Sequence, residues 1–475
     1  MRISERYPLN KTQAELDFID IDTNFDVPLF IDPFFLSIRN DNWSIESTRT
    51  IKSFFQRVID LLTQGDTDAA KELFQHLHEP NATCLGMSRG TPSGRGVGRG
   101  DTDDIFESIA NSRAAQSGLI QDLEDNLLFV DGFGKDKLSD MTTNIIRKHL
   151  IEYTQSQCLL HGIQMRENVP SGFYWNRQTM AWEQQYTNML VIDNRIILFV
   201  PKGVVSFCND YTPSKYYNHF VLNFMQNEHL RMNSALIQKK KDGTRFVTKK
   251  DLKARHPFSK DFLADFSQRN PTVLANFKTQ TKTNSLTNFE IADINIRDLI
   301  NHLINELQNV PSGNADATRY HRLITGVLEL IFYPHLISPT LEREIHDGRK
   351  RIDILFDNAA NEGLFLRFSQ NMRLPCQYIM VECKNYSSDP ANPELDQLSG
   401  RFSPNRGRVG FLLCRTIDNM NLFINRCQDT YRDDRGLIIP LVDEDIINIL
   451  THCNNWNSNY IETFLADRVR QIIMN

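Results

Sequence analysis

No two cysteines in this chain stand at C-x-x-C spacing, although eight are present (Cys84, Cys158, Cys208, Cys376, Cys383, Cys414, Cys427 and Cys453). Single, scattered thiols exclude the usual zinc modules and argue against a disulfide framework, so a reducing, cytoplasmic setting is expected. Long apolar runs are lacking too, and none approaches the ~20 residues that a membrane-spanning helix needs. The stretch from Met1 to Lys11 is charged and has no apolar centre, so no signal peptide is expected either. Charge of one sign is also scarce. Lys and Arg total 53 against 59 Asp and Glu, a formal net charge of −6. That excludes a global field drawing the chain to nucleic acid, and any such face must be local. What remains, 40% hydrophobic and 24% charged residues, is ordinary for a globular protein. At 475 residues the chain is too long for one core, and two or three domains are expected.

Three regions are expected: an α+β region over 1–205 suited to sensing or oligomerisation, a mostly helical, basic connecting region over 206–300, and a catalytic domain over 301–475. In the first, Ile19 to Asp22 alternates like a half-buried strand. Asp17, Asp20, Asp22 and Asp32 suggest a metal site, but strand-edge and turn acids account for them better. Helices are predicted over 47–65 and 66–77. In the stretch from Gly86 to Gly100, Gly90, Gly94, Gly96, Gly98 and Gly100 are interleaved with Arg89, Arg95 and Arg99. The absence of a following Lys-Ser/Thr excludes a Walker A loop, and no surrounding β-α-β unit supports a dinucleotide site. A nucleic-acid-backbone contact and a plain flexible turn remain equally open there. The polar cluster from Asp136 to Arg147 reads as capping, with Ser139 or Asp140 opening a helix to about Gln155. Two apolar runs split by Asp193-Asn194-Arg195 predict a hairpin.

From Lys239 to Arg255 the chain turns strongly basic: Lys239, Lys240, Lys241, Arg245, Lys249, Lys250, Lys253 and Arg255 face only Asp242 and Asp251. A solvated face and a phosphate-binding face are both open readings, and Lys239, Lys240 and Lys241 are the candidate nucleic-acid contacts. Thr279 to Thr287 is a candidate linker.

The chemistry concentrates between Glu342 and Arg415. Tyr378-Ile379-Met380-Val381-Glu382-Cys383-Lys384 is an apolar run ending in an acid and a base two positions apart. Side chains on a strand alternate faces, so Glu382 and Lys384 share one side and Cys383 takes the other. Arg351-Ile352-Asp353-Ile354-Leu355-Phe356 is a second β-prone run with one carboxylate inside it. If the two runs are neighbouring strands, Asp353 joins the pair. Two adjacent carboxylates repel unless a cation sits between them, and hard oxygen ligands suit Mg²⁺. A lysine beside such a site can orient water for attack on a phosphodiester. Residues 357–375 are expected to form a loop that approaches substrate.

This arrangement resembles the PD-(D/E)XK nuclease superfamily, whose fold is that of restriction endonucleases. Asp353 matches the first acid and Glu382-Cys383-Lys384 the (D/E)-x-K triplet, with Ile352 where Pro is usual. Glu394 to Phe402 resembles the Gln-x-x-x-Tyr helix of the RecB-like branch, with Gln397 matching and Arg401 in place of Tyr. The resemblance covers roughly residues 315–425. It implies an α/β (α+β) mixed sheet flanked by helices, behind the larger α+β N-terminal region. It further implies Asp353 and Glu382 as ligands of Mg²⁺ or Mn²⁺, with the backbone carbonyl of Cys383 completing the shell. Lys384 would position the attacking water, while Gln397 and Arg401 would touch the scissile phosphate or its neighbour. Glu329, on the preceding helix, and Glu344 are candidate additional acids. DNA is the implied substrate, cut by a homodimer or larger, in a restriction or anti-phage effector that acts with partner proteins of a defence system. The rival expectations are an RNase, a partner-activated nuclease, and a binding or assembly module with a vestigial nuclease fold.

Overall fold

The computed structural model describes residues 1–27, 29–78, 80–86, 106–110, 112, 120, 122–206, 211–285, 296–345, 350–386, 389–452 and 458–474. The glycine-arginine stretch, His346, Cys208 and Cys453 therefore lie outside the described residues.

Two apolar cores divide the chain. One is built from residues between Ile3 and Phe277, the other from residues between Leu299 and Ile472 together with Ala14. Residues 211–277 contribute Tyr211, Tyr216, Leu252, Leu263 and Phe277 to the first core instead of building one of their own. That core is mostly helical. Asn42–Thr63 is opened by Asp41, whose carboxylate accepts from Ser44 N–H, and buries Ile51, Phe54, Phe55, Val58 and Leu61 along one stripe. The hairpin at Asp193-Asn194 forms, pairing Val191 with Ile196 across two residues of positive φ.

Several local expectations are corrected. Ile19 to Asp22 forms no strand; this part of the chain is held by isolated bridges such as Arg2 with Asp22 and Phe18 with Pro201. The helix predicted to start at Ser139 starts at Lys135, ends at Ile145, and is followed by a second helix, Arg147–His161. Ser139 is no cap: its hydroxyl accepts the N–H of Ile31 and ties that helix to a distant strand. Thr279 to Ser285 belongs to the Pro271–Ser285 helix and is not a linker. The four early aspartates serve structure: Asp17 accepts from Tyr153, Asp20 from Ser4, Asp22 from the N-terminal ammonium, and Asp32 from Phe34 N–H.

The C-terminal core surrounds a five-stranded mixed sheet in sequential order: β1 (Leu336–Ile345), β2 (Lys350–Asn358), β3 (Tyr378–Lys384), β4 (Val409–Cys414) and β5 (Leu437–Val442). β1, β2 and β3 pair antiparallel, whereas β3, β4 and β5 pair parallel. Parallel neighbours need a crossover, and the Asn392–Ser399 and Met420–Arg432 helices supply the two required here. Ala317–Phe332 packs its Tyr320, Ile324, Val327 and Leu328 face into the same core. β5 was not anticipated from the sequence, because Pro440 interrupts its run. As the edge strand beyond β4 it tolerates a residue without an N–H. The supposed loop over 357–375 contains a helix, Gly363–Gln370, that buries Leu364, Phe365 and Phe368. With that face in the core, this segment is a packed element and not a free arm.

Candidate functional site

β3 runs through the middle of the sheet with Ile379 to Cys383 all buried, so Glu382 is carried into the interior by its strand. β2 pairs Ile354 with Val381, and continuing that antiparallel register by one residue sets Asp353 opposite Glu382. The Asp353 carboxylate accepts the N–H of Cys383 at 3.0 Å, which fixes it against the end of β3. Alternation puts Lys384 on the face of Glu382, and its ammonium donates to Glu382 Oε1 at 2.7 Å. The same ammonium donates to Gln397 Oε1 at 2.9 Å, from the crossover helix that follows β3. Asp353, Glu382, Lys384 and Gln397 are thus brought together, although Gln397 stands 13 residues from Lys384.

Arg401 joins the cluster in a different way from the one the resemblance implied. The residue is 7% exposed, and its guanidinium is directed at Glu382 Oε2, 2.9 Å away. It also donates to the backbone carbonyls of Arg351 and Gln397. So placed, it holds Glu382 and is not turned outward to receive a phosphate. A carboxylate 1% exposed needs a compensating charge more than a solvated phosphate does. Burial and the Asp353 charge push the Glu382 pKa up, while Lys384 and Arg401 pull it down.

Glu329 is likewise elsewhere. It is 2% exposed and ion-paired at 2.8 Å with Lys202 of the N-terminal half. The charges that act on it are those of Lys202, Asp17 and Lys11. Glu344 lies opposite Arg351 in the β1–β2 ladder, and its side chain lies outside the described residues. Lys239, Lys240 and Lys241 are exposed on a separate hairpin in the first core region, remote in sequence from the sheet.

Two features adjoin the cluster without a sequence signal of their own. Arg415, at the end of β4, pairs with Asp443 at 2.7 Å and donates to Asn385 Oδ1, and Asn385 in turn grips the carbonyls of Pro311 and Gly313. Tyr386 donates to Glu394 at 2.6 Å. Both arrangements pin the chain just after Lys384, and burial pushes the Asp443 pKa up to about 6. Asp443 stands at the start of the Asp443–His452 helix, and an acid there reads as a cap, which is why it gave no separate signal.

The donor set fits a hard divalent cation. Among the described residues no group of three or more His, Cys, Asp and Glu side chains converges. Mg²⁺, however, commonly uses one or two carboxylates and completes its shell with water and substrate oxygens. Glu382 Oε2 is buried and makes no hydrogen bond, since the Arg401 contact has ion-pair distance but not hydrogen-bond geometry. That oxygen, the Asp353 carboxylate and the Cys383 carbonyl are all oxygen donors at one strand end.

Residues 8–212, less than half of the chain, match a domain family described only as a domain of unknown function, DUF8370. No curated protein and no solved structure matches the chain. No helix among the described residues is long and apolar enough to cross a membrane.

Proposed function

We propose that the chain is a metal-dependent nuclease of the PD-(D/E)XK type that hydrolyses phosphodiester bonds of nucleic acid, with DNA as its substrate. The observation that carries this reading is the Lys384 ammonium, shared by Glu382 and Gln397 on the face where Asp353 meets the end of β3. Asp353, Glu382 and the Cys383 carbonyl would hold Mg²⁺ or Mn²⁺, and such an ion supplies Lewis-acid stabilisation of charge on the phosphate. Lys384 orients the attacking water and offsets the charge that develops beside it. Gln397 fixes the Lys384 rotamer, and Arg401 keeps Glu382 aligned from the opposite oxygen. A restriction or anti-phage role, with partner proteins of a defence system, follows from the same resemblance.

The test is purified protein incubated with duplex DNA, single-stranded DNA and RNA. Cleavage of DNA is expected with Mg²⁺ or Mn²⁺ and none with EDTA. Equal cleavage with EDTA would remove the metal from the reading, cleavage of RNA alone would change the substrate, and no cleavage of any substrate with either ion would leave a binding module.

One such domain carries one site, and one site cuts one strand, so a double-strand break calls for two copies. Symmetric pairing supplies them, and the active species is expected to be a homodimer or larger. Light scattering with and without duplex DNA checks this. A monomer mass in both conditions, alongside double-strand cutting at limiting enzyme, contradicts it.

A further inference from the structure

The first core region carries an open groove of about 370 Å³ lined by Ser214, Tyr217, Asn218, Lys253, Pro257 and Phe258. Phe258 is 50% exposed, so part of its ring stands open to water at the edge of the groove. Its ring meets Tyr217 edge-on, 5.4 Å between centroids, and the Lys253 ammonium stands 6.0 Å from the centre of the Tyr217 ring. Tyr217 is itself fixed, because its hydroxyl donates to the His256 carbonyl at 2.6 Å. The groove wall is therefore a rigid aromatic platform with one face open and a cation beside it.

The backbone beneath it is irregular as well. Tyr216–Val221 is a π-helical turn set between Pro213–Lys215 and Leu222–Arg231, with the Leu222 N–H reaching back to Tyr217 O. A π turn inside a helix is costly, and such turns recur where side chains must be re-aimed for function. Here it presents Tyr217 and Asn218 to the groove.

The surroundings are basic in a chain whose net charge is −6. The Gln238–Lys239/Arg245–Phe246 hairpin is joined to the Lys249–Arg255 helix by a Gln238–Asp251 hydrogen bond of 2.9 Å. Lys249 in turn donates to the Asn218 carbonyl at 2.7 Å, so hairpin, helix and groove form one continuous surface. Asp251, one of only two acids in this run, is taken up by Gln238 and Thr248. Lys239, Lys240, Lys241, Arg245, Lys250, Lys253 and Arg255 are left exposed.

We infer that this surface binds single-stranded nucleic acid, with one unpaired base stacked on Phe258 in the groove and the flanking phosphates on the lysines of the hairpin and helix. Charge complementarity calls for a polyanion. The half-exposed ring calls for one whose π faces are free, which a duplex does not offer along its length. The inference rests on the proposal that nucleic acid is the partner and adds a site on a different core from the catalytic cluster.

The test is fluorescence anisotropy of the full chain in EDTA, where cleavage plays no part, with labelled oligothymidylate, oligouridylate and a blunt DNA duplex. Phe258→Ala is expected to weaken the single strand about 5- to 150-fold, the range for one stacked base, and to leave duplex affinity unchanged. Phe258→Trp should retain parental affinity. Lys250→Gln with Lys253→Gln should lower the slope of log K against log salt for both nucleic acids. Parental affinity of Phe258→Ala for both single strands, an equal loss for duplex, or no binding of single strands by the parent would overturn the inference. In each case cleavage of duplex DNA in Mg²⁺ would still stand or fall by itself.

Discussion

Lys384→Ala is expected to lower the rate of phosphodiester cleavage by at least ~10²-fold at saturating Mg²⁺, the loss typical of removing one preorganised charge from a transition state. Asp353→Asn and Glu382→Ala are expected to abolish cleavage by removing a ligand. The three should differ in stability, and that difference tests the geometry separately from activity. Asp353→Asn keeps an acceptor for the Cys383 N–H and removes a charge that raises the pKa of Glu382. Its urea midpoint should equal or slightly exceed that of the parent. Glu382→Ala leaves Arg401, 8% exposed at its side chain, without the carboxylate that compensates it. A loss of about 3 kcal/mol or more follows from a buried charge left without its partner. Single-turnover cleavage, Mn²⁺ calorimetry and urea unfolding of the three variants read out these effects. Parental cleavage by any variant would remove that residue from the site, and a more stable Glu382→Ala would contradict the Arg401 pairing.

The second large effect is expected at a different buried ion pair. Lys202 and Glu329, with side chains 1% and 2% exposed, join the two cores through a 2.8 Å ion pair. Lys202 also donates to the Ala14 carbonyl and stands 4.5 Å from the centre of the Tyr333 ring. Beside them Asp17 accepts from Tyr153 at 2.6 Å and from the Ser338 N–H at 3.0 Å, at the register irregularity of β1. Removing one partner of a buried pair strands the other charge, so Lys202→Met is expected to cost about 3–5 kcal/mol near neutral pH. The double variant Lys202→Met/Glu329→Leu should recover most of that.

The pH dependence has a definite sign. Burial raises the pKa of Glu329, and Lys202 is the main influence lowering it. A carboxyl raised on folding contributes most stability below its unfolded pKa and loses that contribution as pH rises through its folded pKa. Without Lys202 the folded pKa rises further, so the variant's deficit should be larger at pH 8 than at pH 5. Urea midpoints at the two pH values measure it. An equal deficit at both, or a double variant as unstable as the single, would show that Glu329 is not the group left uncompensated.

What lay open in the sequence was the chemistry carried by short-range order. An apolar run followed by acid-x-lysine defines a strand end with Glu382 and Lys384 on one face, because strand alternation is a property of adjacent residues. The Asp193-Asn194 hairpin and most of the Asn42–Thr63 helix, expected over 47–65, were legible for the same reason, since turn residues and helical spacing act over a few positions. Pro440 hid β5, because whether proline is tolerated depends on the strand lying at a sheet edge, and edges exist only once a sheet is assembled. The helix within 357–375 was missed because its apolar face gains its stability from the core it meets, not from local propensity. Arg401 was expected to face a phosphate and instead faces Glu382. Glu329 was expected at the metal and instead meets Lys202, 127 residues away in the chain. In both cases the sequence specified the charge, and only the tertiary structure decided its partner. A buried ion selects the nearest opposite charge in space, and no spacing along the chain encodes that distance.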